Sequence, residues 1–243
     1  MTDVKGRGNG HVFAILENMD WDMHRWETEF AFDSLADYLD IIENQFESVR
    51  KLERNRIPQN PPAGLSEEEL AEWQSEIQFF EDRYERDFPS KIRYSFVVLL
   101  YIVLETRLKA VCDEISKRRS LELRESDLKG AAIERAKAFL EKVAKVPSGD
   151  RMVWQRVRDF QKVRDCVVHT NGQIERSRDK ERLNKLCREN LGLSSEAGSL
   201  MIERHYCTKM LEITKRYFGH LFDSAGFGKQ HSFEAPRSPI LDL

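Results

Sequence analysis

Three side chains suited to acid–base work on a phosphate fall within six residues: Arg164-Asp165-Cys166-Val167-Val168-His169, followed by Thr170-Asn171-Gly172. Arginine brings a permanent cation with a forked donor array that matches phosphate oxygens. Histidine brings a group that takes and gives protons near neutral pH. On a helix, Arg164 and His169 stand about 140° apart around the axis and about 7.5 Å apart along it, so both can reach the edge of one cleft. Asp165 and His169 are four apart and share a face, which lets the carboxylate orient the imidazole. Asn171-Gly172 reads as a helix stop with Gly172 as the left-handed cap, placing His169 in the last turn. Phe160, Val163 and Val167 recur at helical spacing and predict a packed edge, with Arg164, Asp165 and His169 off it.

The pattern Arg, four intervening residues, His, with a polar residue directly after the Arg, resembles the signature of the HEPN domain family at Arg164, Asp165 and His169. The order of predicted elements is also similar over about residues 90–222. The resemblance implies an all-α helical bundle of the HEPN type, here with an additional N-terminal helical extension. It implies a homodimer whose two motifs face each other, and metal-independent RNA cleavage with no cofactor. In that reading His169 moves the proton of a ribose 2′-OH or of the leaving 5′-oxygen. Arg164 stabilises the phosphorane, and Asp165 orients His169 or a partner group. The product is a 2′,3′-cyclic phosphate. One such His per chain leaves the acid or the base missing, and a dimer supplies the second copy. Some toxin members carry a Tyr two residues after the His, where this chain has Asn171. The expected role is a toxin or antiviral-defence effector, with an antitoxin or defence-system protein as a partner. The alternative is a non-catalytic HEPN-like helical module that binds RNA or protein.

Charge distribution favours a polyanionic partner for the C-terminal part. Residues 1–90 hold 9 Lys and Arg against 21 Asp and Glu, whereas the whole chain holds 39 and 42. The acidic excess is therefore confined to the first third, and the remainder is basic. Residues 176–188 alone contain Arg176, Arg178, Lys180, Arg182, Lys185 and Arg188. That run is either a solvated helix face or a surface for RNA phosphates. Asn171, Arg176, Arg178 and Arg182 are the expected substrate-binding residues.

The elements that must position these groups are helices throughout, with no period-two pattern. Leu35, Leu39, Ile42, Phe46 and Val49 mark a helix from Glu27 to Arg56, whose stripe suits core packing or a coiled-coil-like contact. Pro58, Pro61, Pro62 and Gly64 break it. Ser66 and Glu69 form a capping box that opens a helix ending at Pro89. A third helix, Lys91 to Arg118, carries the apolar run Phe96 to Leu104, with Glu105 beside it as a structural partner for a basic group, the favoured role, or as a group that orients the site. Glu125 to Val146 is helical with an irregularity at Gly130. Pro147-Ser148-Gly149-Asp150 turns the chain into the motif helix, Val153 to Thr170. A short basic helix over 178–190 and a final helix from Met201 to Phe222 complete the bundle. The expected organisation is a partly disordered segment at 1–26, an acidic helical extension at 27–89, a HEPN-like domain at 90–224 and a flexible tail at 225–243.

Several classes are disfavoured. Cys112, Cys166, Cys187 and Cys207 show no zinc-ligand spacing, and no metal is expected. The nine-residue apolar run is far short of the roughly 20 residues a membrane span needs. The polar, Gly-rich start lacks the apolar core of a signal peptide. The expectation is a cytoplasmic protein with reduced thiols.

Overall fold

The computed structural model describes residues 22–58, 60–189 and 191–228. Of the partly disordered segment expected at 1–26 and the flexible tail expected at 225–243, residues 1–21 and 229–243 lie outside the described residues. Helix accounts for 76% of the structure and strand for 4%, which makes the fold mostly α.

Helix α1 spans Met23–Arg56 and starts where the Asp22 carboxylate accepts from the His24 and Arg25 amides. Helix α2, Glu67–Phe80, opens on the Ser66–Glu69 capping box expected from the sequence. Pro89 does not end it. The backbone stays helical through a π-helical stretch, Glu81–Asp87, and on into α3, Phe88–Arg118. A π turn is wider than an α turn, so a residue with no amide hydrogen fits where it would otherwise clash with the preceding turn. Stacked and edge-on contacts among Phe80, Tyr84, Phe88 and Phe46 hold this stretch against α1.

The expected helix at 125–146 is broken into a 3-10 turn at Glu125–Asp127, α4 at Ala132–Ala138 and a π turn at Phe139–Val143. Gly130 lies in the break, with φ +123. Helix α5, Arg151–Thr170, carries the motif. A 3-10 turn, Ile174–Arg176, leads to α6, Lys180–Arg188. A hairpin that the sequence reading missed follows: β1, Leu193–Glu196, pairs antiparallel with β2, Ser199–Ile202. Ala197 and Gly198, both at positive φ, form its two-residue turn. Helix α7, Arg204–Ala225, is the last helix of the described residues.

Helices α1, α3, α5 and α7 form the bundle. Both α1 and α5 pack on α3 and on α7, and α3 touches α7 directly. The core runs continuously through Phe32 and Leu39 of α1, Leu100 and Leu104 of α3, Phe160 of α5 and Phe218 of α7. The acidic first helix is thus built into the same core as the basic part. Charge complementarity reinforces the packing: Glu43 holds Arg93, Glu27 holds Arg107, Asp40 holds Arg204 and Asp33 holds Lys215. Phe227, within the expected tail, is buried against Phe222 and the Arg118 guanidinium. No helix among the described residues is long and apolar enough to cross a membrane.

Candidate functional site

The end of α5 is held with little freedom. Asn171 takes the left-handed conformation at φ 51 and ψ 40, one residue ahead of the expected cap, and Gly172 follows at φ 79. The amides of Asn171 and Gly172 both donate to the Cys166 carbonyl, and the Thr170 hydroxyl donates to the same oxygen at 2.7 Å. This is a Schellman-type stop that uses the carbonyls a helix end leaves free. Glycine at 172 is required by space as well as by φ. A Cβ there would lie 1.9 Å from the Tyr94 hydroxyl oxygen. That hydroxyl donates to the Leu200 carbonyl, and the Leu200 amide donates to Gly172 O at 2.8 Å. The hairpin, α3 and the exit of the motif helix are therefore locked together at one point.

Arg164 is held on α3. Its guanidinium carbon lies 3.9 Å from the centre of the Tyr101 ring, and Nη1 donates to Asp165 Oδ1 at 2.7 Å. Nη2 stands 3.9 Å from Glu105 Oε2. Glu105 is thus the structural partner of a basic group, as the sequence suggested. Tyr101 went unnoticed in the sequence, although it stands four residues before Glu105 and so on the same face. It is 2% exposed. Burial pushes its hydroxyl up to about 12, with Arg164 beside it pulling the other way, so the ring is a neutral platform for the guanidinium.

Asp165 is engaged differently from the expectation. Its carboxylate binds the adjacent guanidinium, and among the described residues no hydrogen bond or ion pair joins it to His169. A carboxylate within reach of a permanent cation takes that partner over an imidazole one turn on. His169 is exposed in the last turn of α5 and has no hydrogen-bond or ion-pair partner among the described residues. Val168, next to it on α5, is exposed as well, and on α3 the exposed apolar residues Leu99 and Ile102 flank Tyr101 in sequence.

The expected substrate-binding residues divide. Arg182 grips the buried Asp159 carboxylate through two nitrogens and also reaches Glu189. With the Arg156–Glu189 and Lys162–Asp179 pairs it fastens α6 onto α5, so its charge is spent inside the fold. Arg176 and Arg178 are exposed and carry no ion pair among the described residues. Asn171 is exposed and borders a polar groove of about 400 Å³ shared with Ser90, Lys91, Tyr94 and Gln173. The arrangement thus brings Arg164, Asp165 and His169 to one helix end, leaves Arg176 and Arg178 in solvent, and removes Arg182 from the set.

The thiols are not poised as nucleophiles. Burial raises Cys166, drives Cys112 well above the usual thiol range and pushes Cys207 up to about 12. Among the described residues, no group of three or more His, Cys, Asp or Glu could hold a metal ion. Comparison with known protein families, with curated proteins and with solved structures finds no match for this chain.

Proposed function

We propose that this protein is a metal-independent endoribonuclease of the HEPN type, acting as a homodimer in which each protomer contributes Arg164 and His169 to a shared site. The observation that carries this reading is the contrast within the motif: Arg164 is pre-set on Tyr101, whereas His169 stands open and unpartnered at the same helix end. A proton-transfer group must be free to meet its substrate, and a charge-stabilising group works best when already oriented. The exposed Val168 beside His169 supplies apolar surface for pairing two such ends. One His169 removes the proton from a ribose 2′-OH, whose oxygen attacks the adjacent phosphorus. Arg164 bears the charge that develops on the phosphoryl oxygens. The His169 of the second copy protonates the departing 5′-oxygen. Arg176 and Arg178 remain available for flanking phosphates. Such an activity suits a cytoplasmic toxin or antiviral-defence effector restrained by an antitoxin or a defence-system partner.

A second reading rests on the carboxylates at Arg164. Its charge is matched by Asp165 and approached by Glu105, as in a contact that only stiffens α3 against α5. The protein is then a helical module that binds RNA or protein without cutting. The two are separated by incubating purified protein with RNA in EDTA. Cleavage that is lost in Arg164→Ala and His169→Ala, with circular dichroism and dimer mass unchanged, supports the nuclease. An inactive parent, together with a dimer that falls apart in His169→Ala, supports the binding module.

A further inference from the structure

Helix α1 is apolar on two opposite arcs, and among the described residues only one of them is packed into the core. Phe32, Leu35 and Leu39 face the core. On the other side Phe30 is 59% exposed, Ile41 63% and Leu52 56%, with Met23, Tyr38 and Val49 exposed beside them. A helix on the surface of a bundle ordinarily shows charged and polar residues there. Phe30, Ile41 and Leu52 are separated by eleven residues each, about three turns, so they form a nearly straight row roughly 33 Å long.

We propose that this row is a self-association surface, on which α1 of a second copy of this chain lies antiparallel about a two-fold axis at Ile41. The equal spacing is what makes the row self-complementary. With the axis at Ile41, that residue meets its own counterpart, and Phe30 of each chain meets Leu52 of the other. A two-fold interface requires such reciprocity. Charge supports the antiparallel sense. The first half of α1 holds Glu27, Glu29, Asp33, Asp37 and Asp40 against Arg25, and its last turns hold Arg50, Lys51, Arg54 and Arg56 against Glu47 and Glu53. Asp33 and Lys51 lie on one side of the row, Glu27 and Arg56 on the other. Antiparallel pairing sets Lys51 near Asp33 of the second copy and Arg56 near its Glu27, each twice. Parallel pairing would set acid beside acid. Within the chain Asp33 and Glu27 already bind Lys215 and Arg107, and Lys51 and Arg56 already pair with Glu47 and Glu53, so the contacts between copies would join these pairs as a network.

This surface is separate from the motif. Because α1 and α5 each pack on both α3 and α7, they occupy opposite corners of the bundle and their outer faces point apart. Pairing through α1 therefore leaves His169 uncovered, and its test reads mass and cross-linking rather than cleavage. In full-length protein, Ile41→Glu should lower the mass measured by light scattering at least twofold, to a motif-paired dimer or to a monomer, while the helical circular dichroism stays as in the parent. Ile41→Cys should form a cross-linked dimer under mild oxidation, because only a residue on the axis meets itself. Phe30→Cys alone should not, but should link to Leu52→Cys when the two variants are mixed. Unchanged mass in Ile41→Glu with no cross-link through Ile41→Cys overturns the proposal. That outcome would mean that the row is bare or is covered within the chain, for which the apolar stretch Val12-Phe13-Ala14-Ile15-Leu16 is the available segment.

Discussion

Replacing Gly172 by Ala drives a methyl group into Tyr94, and the cost can be worked through from three contacts. The new Cβ would lie 1.9 Å from the Tyr94 hydroxyl oxygen, 2.6 Å from Cζ and 2.8 Å from Cε2. Tyr94 is largely buried against the core and cannot yield without giving up its bond to the Leu200 carbonyl. An L side chain at φ +79 adds about 1 kcal/mol. Leaving the Leu200 carbonyl without its donor costs roughly 1–3 kcal/mol. The sum is about 2–4 kcal/mol, a large share of the stability of a domain this size. Urea denaturation followed by circular dichroism measures it, with Tyr94→Phe as the companion. Tyr94→Phe alone should cost about 1–2 kcal/mol by loss of the hydrogen bond. In that background Gly172→Ala should cost less than in the parent, because the nearest atom is gone. A Gly172→Ala protein within about 0.5 kcal/mol of the parent would refute the lock between hairpin, α3 and the motif helix.

Other substitutions test individual parts of the site. Arg182→Ala should destabilise by on the order of 3 kcal/mol, since it leaves the buried Asp159 carboxylate without a cation and with Gln155 as its side-chain donor; a stability loss below about 0.5 kcal/mol, with weakened RNA binding instead, would return Arg182 to the substrate-binding set. His169→Ala should leave the unfolding free energy within about 0.5 kcal/mol of the parent, because the imidazole is exposed and has no partner among the described residues. Tyr101 titrates near 12 in the folded chain against 10.0 when free, so the unfolded chain loses that proton first and stability falls as pH rises from about 10 through 12. Tyr101→Phe should lessen the alkaline fall in unfolding free energy, and an identical pH slope in both proteins would contradict the burial argument.

Local rules in the sequence carry most of the helices. The Ser66–Glu69 capping box, the break at Pro58 to Gly64 and the long period of Leu35 and Leu39 lead directly to α1 and α2. Pro89 misled because its usual effect assumes α geometry, whereas the turn before it is π-helical and packs through Phe88 on Phe46, which is distant in sequence. The hairpin escaped because four residues per strand, with only Leu193, Leu200 and Ile202 buried, carry too short an alternation. In the motif, the helical placement of Arg164 and His169 followed from spacing, and so did the nearby stop. The partners did not. Tyr101 reads as one more apolar residue in a core helix until the packing of α5 on α3 sets it under Arg164. Asp165 chose Arg164 over His169 through side-chain reach, which spacing alone does not rank. Arg182 looked like the other cations of its run until Asp159 was seen beneath it.

The most direct test of the central claim is the chemistry of the RNA ends. Purified protein in EDTA, given a 3′- and 5′-defined RNA, should leave fragments ending in a 2′,3′-cyclic phosphate with 5′-hydroxyl partners, and the folded His169→Ala protein should leave the RNA intact. Intact RNA with the parent protein, fragments bearing 5′-phosphates, or undiminished cleavage by His169→Ala would contradict it.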